Sequence, residues 1–146
     1  MSLFDRPVSS RLLWPLEARW PRRRAWALIK RFQACFPELI YDMELGVDLA
    51  NAQAFLDGSQ RRVRLYGGLV RHRKIGSAAL AVTLAHETGH HLGGAPFLQY
   101  YRWLSSEERA TQWAMTVGLQ KVFGSVAAEK VSDSGIKQLK AIGLFA

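Results

Sequence analysis

In the segment His86-Glu87-Thr88-Gly89-His90, residue types and spacing together specify a reaction. On a helix, residues four apart lie about 40° from each other around the axis, so His86 and His90 can address one metal ion. Glu87 is one position on, beside the open corner of such an ion. There its carboxylate can take a proton from water that zinc has made more acidic, and pass it to a leaving amine. Gly89 lacks a side chain, which allows another part of the chain to approach this helix closely. His91 faces about 100° away from His90. It reads as a supporting or surface residue.

Catalytic zinc requires a third protein ligand and one open position. The single cysteine, Cys35, cannot build a cysteine-rich site, so histidine and carboxylate must supply the set. Cys35 itself falls on an apolar helix stripe and reads as a small core residue. A metzincin continuation, His-x-x-Gly-x-x-His, finds Gly93 in place but Pro96 where the last histidine would stand. No histidine follows His91, and the acids beyond it are Glu107, Glu108, Glu129 and Asp133. Glu107 and Glu108 open the next expected helix, at a distance that lets it fold back on the first. Glu107 is the favoured ligand of the two; an acid that only caps the helix is the competing reading. For the group that polarises a substrate carbonyl, His72, Tyr100, Tyr101 and Arg109 all qualify as donors, and spacing does not choose among them.

These side chains need elements to hold them. Leu80, Val82, Leu84 and Ala85 lead into the histidines and predict a helix over about 77 to 92, stopped by Gly93-Gly94 and Pro96. Ser105 or Ser106 before Glu107-Glu108 predicts the next helix start, continuing through Trp113 and Val117 towards Phe123. Ala25, Leu28, Ile29, Phe32 and Phe36 recur at helical steps from Arg22 and end at Pro37. Val63 and Leu65 alternate with Arg62 and Arg64, which predicts a half-exposed strand meeting Gly67-Gly68. Residues 1–21 hold Pro7, Pro15 and Pro21 and read as an irregular lead-in that could cover the cleft, and the tail from Ala127 as one more helix. Residues 39–55 give only short apolar pieces.

The chain has 146 residues, 49% of them apolar, enough for one domain with its own core. No run approaches the roughly 18 apolar residues of a membrane span, and the N-terminus lacks a signal-peptide core, so the expected location is cytoplasmic. The net charge of +8 gathers in Arg19, Arg22, Arg23 and Arg24; in Arg61, Arg62 and Arg64; and in Arg71, Arg73 and Lys74. Such patches attract nucleic acid or other polyanions, or are simply solvated; no base-reading motif accompanies them.

Asn51-Ala52-Gln53-Ala54-Phe55, Val63 to Val70, and Leu80 to His91 together resemble the M48 family of zinc peptidases, gluzincins that include HtpX-type and CAAX-processing enzymes. The resemblance covers roughly residues 50 to 115. It implies a Glu-x-x-Ala-Asp pattern, matched by Glu107-Glu108-Arg109-Ala110-Thr111, with Glu107 as ligand. Thr111 replaces the aspartate that steadies a zinc-binding histidine. The likeness also implies an edge strand for extended peptide, placed at residues 62 to 70. The expectation is therefore an α+β zincin-like domain over residues 1–146, its catalytic core at 50–123. It would be a Zn²⁺-dependent peptidase acting on protein or peptide, with His86, His90 and Glu107 on the metal and Glu87 as general base. The alternative is a basic nucleic-acid- or protein-binding module on the same scaffold, its metal structural or vestigial.

Overall fold

Helix α1, Arg19–Cys35, buries Ala25, Leu28, Ile29 and Phe32, the stripe that the three- and four-residue steps require. The structure is a computed structural model and describes residues 7–145. The helix starts inside the stretch expected to be irregular. Pro21 sits in its first turn, where a missing N–H breaks no helical bond. The described part of the lead-in is tied down as well. Val8 N–H bonds the Asp48 carbonyl at 2.7 Å, Trp14 N–H that of Arg71 at 2.7 Å, and Leu12 accepts from Arg73 N–H at 2.8 Å. It lies along Arg71–Arg73 and lines neither of the clefts described below.

Strands β1 (Leu39–Glu44), β2 (Ala52–Asp57) and β3 (Gln60–Tyr66) form one mixed sheet in the order β1-β3-β2. The β2–β3 pair is an antiparallel hairpin turning at Gly58, whose φ of +61° suits glycine; β1 joins β3 in parallel. Leu39, Tyr41, Ala52, Ala54, Val63 and Leu65 face the core. This corrects the edge strand expected at 62–70. β3 is central, because β1 occupies its other side, and it ends at Tyr66. Gly67–Val70 form a buried helical turn, α2. Among the described residues, the strand beside the site whose outer edge is unpaired is β2.

Helix α3, Ser77–Leu92, lies at the centre with eleven buried residues, packed against the sheet and α1. It also carries the later helices: α4 (Glu107–Trp113), a π-helical turn at Ala114–Gly118, α5 (Leu119–Phe123) and α6 (Ser125–Ala141). Core residues from Ala25 to Leu139 form one cluster. The architecture is α+β, and no described helix is long and apolar enough to cross a membrane.

Candidate metal centre

His86 and His90 lie one turn apart on α3, and Glu107 is the first residue of α4. Two local features bring α4 in. The Ser106 hydroxyl accepts the Arg109 N–H at 3.2 Å and caps the new helix. At Gly89 the two helices almost touch: a Cβ there would fall 2.5 Å from the Ala110 carbonyl oxygen. The intervening turn is clasped by Ser105, whose N–H bonds the His90 carbonyl at 2.7 Å while its own carbonyl faces His90 Nδ1 at 2.6 Å.

The result is a three-residue cluster whose possible ligand atoms all lie within 4.8 Å of one another, and which could hold a metal ion. Glu107 Oε1 stands 3.0 Å from His86 Nε2, and Oε2 stands 3.2 Å from His90 Nε2. The fit to a cation can be tested on His90. A carbonyl can only accept, so His90 Nδ1 carries a hydrogen and, in the neutral ring, Nε2 presents a lone pair. His90 Nε2 and Glu107 Oε2 are both buried without a hydrogen-bond partner. Two acceptors so placed repel unless positive charge is shared between them. His86 is supported similarly, with Nδ1 2.9 Å from the Thr111 hydroxyl. Thr111, on α4, thus helps to fix the orientation of the His86 ring on α3.

The electrostatics point the same way. Burial by itself would raise the Glu107 carboxyl, but His86 and His90 outweigh it and hold the group well below the usual carboxylate range. Burial likewise opposes charge on His90, yet adjacent Glu107, Glu87 and the Ser105 carbonyl raise its affinity for a proton overall. Glu87 is buried, with Oε2 3.9 Å from His86 Nε2. His91 has a separate task. Nε2 lies 2.8 Å from the Arg62 carbonyl, Arg61 lies 3.3 Å from Nδ1, and burial lowers its proton affinity, so a neutral His91 fastens α3 to β3.

Two clefts meet at the cluster, and both are bordered by Glu87 and Glu107. One, of about 550 Å³, opens past His86 towards Thr83, Gln112, Leu139 and Phe145. The other, of about 500 Å³, opens past His90 towards Leu98, Tyr100, Tyr101 and Trp103. Residues of β2 wall both. Of the four donors considered for a carbonyl, Tyr100 and Tyr101 reach the second cleft. His72 does not: it is buried against the lead-in, with Nδ1 accepting from Lys74 N–H at 3.1 Å. Nor does Arg109, whose guanidinium bonds the Gly93 carbonyl at 2.7 Å and Gln112 at 2.8 Å, closing the turn after α3. Glu108 borders the first cleft but lies outside the cluster.

Sequence reasoning offers Ser105 only as a possible helix cap, not as the clasp on His90, and does not mark the tail residues Leu144 and Phe145. The doubled serine was a usable signal, since only one of two neighbouring hydroxyls can cap a helix. Nothing marks Phe145, whose ring comes to 6.4 Å from His86 through the path of α6. Part of the basic charge is also accounted for. Arg62 and Arg64 pair with Asp42, Arg71 pairs with Asp48, and Arg61 bonds the His91 and Trp103 carbonyls. Comparison with known protein families, with curated proteins and with solved structures gave no match.

Proposed function

We propose that the chain is a zinc-dependent peptidase of gluzincin type, with His86, His90 and Glu107 holding the ion and Glu87 handling the proton. The observation that carries the reading is the meeting of His90 Nε2 and Glu107 Oε2, buried 3.2 Å apart with no hydrogen-bond partner beyond that contact, in a cluster that also includes His86. Three nitrogen and oxygen donors suit zinc and match the ligand number of a catalytic site. Support for the zincin-like, M48-like reading is the order of parts: an HExxH helix behind a sheet edge, then a helix that begins with the third ligand.

A zinc ion held there supplies a Lewis acid for water and for a carbonyl oxygen. The chain does the rest. The Glu87 carboxylate takes a proton from water as the water oxygen adds to the peptide carbonyl carbon. It then gives that proton to the amide nitrogen as the carbon–nitrogen bond breaks, leaving a carboxylic acid and an amine. Ser105 and Thr111 keep the two imidazoles oriented. Substrate backbone can pair with β2. Tyr66 N–H bonds the Asn51 carbonyl at 3.1 Å, so by the antiparallel alternation Ala52, Ala54 and Leu56 turn their own N–H and C=O groups outward.

The test is Glu87→Gln. The variant should retain zinc, measured by metal analysis of purified protein, and lose at least about a hundredfold in cleavage of a mixed peptide library. Cleavage equal to the parent's would refute the assignment.

A second reading, a polyanion-binding module, is favoured by α1. Arg19, Arg22, Arg23 and Lys30 are exposed there beside Trp20 and Trp26, and no acid occurs between Ala18 and Pro37. DNA binding that weakens steeply with salt, without hydrolysis of any peptide, would select it.

A further inference from the structure

Exposed aromatic side chains concentrate in one loop of this molecule. Phe97, Tyr100, Tyr101 and Trp103 are 49%, 80%, 56% and 41% accessible, all between the end of α3 and the start of α4. Single exposed aromatics are ordinary, whereas a contiguous group rimmed by polar residues marks a place where something binds.

The loop is also firmly held. Leu98 N–H bonds the Leu104 carbonyl at 2.9 Å, Leu104 N–H that of Tyr101 at 2.9 Å, and Ser106 N–H that of Pro96 at 2.8 Å. Arg61 anchors the Trp103 carbonyl at 3.2 Å, and the Tyr101 and Trp103 rings meet edge to face at 5.7 Å. The aromatics are thus presented on a braced frame, with little ordering left to be done on binding.

Across the cleft stands β2. Ala54 lines the cleft, and its backbone N–H and C=O turn outward from β3. The charged groups of this cleft are Glu87, Glu107 and whatever charge His90 carries; its lining includes no lysine or arginine. Away from the metal ligands it is an apolar slot, which would strip water from a charged side chain without offering it a partner.

We propose that Tyr100, Tyr101 and Trp103 of this loop form, with β2, a subsite for one large apolar side chain, aromatic or leucine-sized, of an extended peptide bound along the β2 edge. The inference rests on the peptidase reading only in placing that residue next to the bond to be cut. The occupant is a peptide because the aromatic wall faces a strand edge with free backbone donors and acceptors, which acyl chains cannot use.

The experiment uses zinc-treated Glu87→Gln protein and fluorescent ten-residue peptides of alanine, serine and lysine, differing at one central position. Fluorescence anisotropy should show the phenylalanine and leucine peptides binding about ten- to a hundredfold more tightly than the serine peptide, the range expected for burying one such side chain. Trp103→Ser and Tyr101→Ala, at exposed positions and with parent-like circular dichroism, should each reduce that preference at least about threefold. Equal affinity for all peptides, no binding of any, or a preference untouched by both substitutions would overturn the proposal. So would aromatic-dependent binding to neutral phosphatidylcholine vesicles without peptide selectivity, which would assign the loop to a lipid surface. Parent enzyme that cleaves peptides indifferently refutes the subsite alone. Parent enzyme that binds the phenylalanine peptide and never cuts it refutes the peptidase reading alone.

Discussion

Replacing Gly89 by alanine should damage the metal site more than the fold. The new Cβ would lie 2.5 Å from the Ala110 carbonyl oxygen and 3.1 Å from Ala110 Cα. Ordinary contact begins near 3.4 Å, so α3 and α4 must separate by about 0.9 Å, and interiors packed to crystal density have no slack to absorb it. Glu107 lies one turn before Ala110 and moves with it, whereas zinc–ligand distances tolerate only about 0.2 Å. A loss of roughly ten- to a hundredfold in zinc affinity follows, the scale seen when the supports of metal ligands are disturbed. Stability changes less. Alanine gains about 1 kcal/mol over glycine within a helix, while overpacking costs about 1–3 kcal/mol, a net loss of roughly 0–2 kcal/mol. Gly135→Ala is the control: its Cβ would meet the Ala78 carbonyl and Val82 Cγ2, both at 2.5 Å, straining α6 against α3, and α6 carries no ligand. Chelator competition gives the zinc affinities and urea melts the stabilities. Parent-like zinc affinity in Gly89→Ala, or an equal loss in Gly135→Ala, would refute this account of how the site is held.

Saturating zinc, at about a hundred times its Kd, should stabilise the parent by about 2.7 kcal/mol and raise Tm by roughly 5–10 °C, and Glu107→Ala should abolish the shift in a thermal melt. Thr111→Val removes the hydroxyl 2.9 Å from His86 Nδ1 and should weaken zinc about tenfold or more in the same competition assay, with Thr111→Ser retaining most of the affinity. Burial, and then Lys74, hold His72 below its ordinary proton affinity, so the folded state resists its charging. The stabilisation is complete above the unfolded value near 6.5 and is lost as pH falls through the lower folded one. With chelator present, urea stability between pH 7 and 5 should therefore decline more steeply in the parent than in His72→Asn.

The parts of this molecule that the sequence declares are those settled within a few helical turns. α3, the Ser106 cap, the close approach at Gly89 and the choice of Glu107 over Glu108 all follow from residues within about 25 positions of one another. Strand order does not. β1 and β3 pair in parallel across some twenty residues of chain, and nothing in Leu39–Glu44 says which neighbour it will take. An alternating strand looks the same at an edge or in the centre, so alternation alone does not say where 62–66 lies in the sheet. Arg62 and Arg64 resemble solvated charge until Asp42 of β1 is brought beside them. His72 and Arg109 were plausible donors by chemistry alone. His72 is spent on the lead-in by pairing with distant Leu13, and Arg109 on the Gly93 carbonyl by a turn whose course neither residue type announces.

The double link between His90 and Ser105 closes the chain into a loop at its base, just ahead of Glu107. The segment from Phe97 to Trp103 hangs from that closure and carries none of the three residues that could hold an ion. On the peptidase reading proposed above, holding an ion and choosing what is brought to it fall to separate parts of the chain. A relative with altered taste in substrates would need a different pendant segment on an unaltered frame.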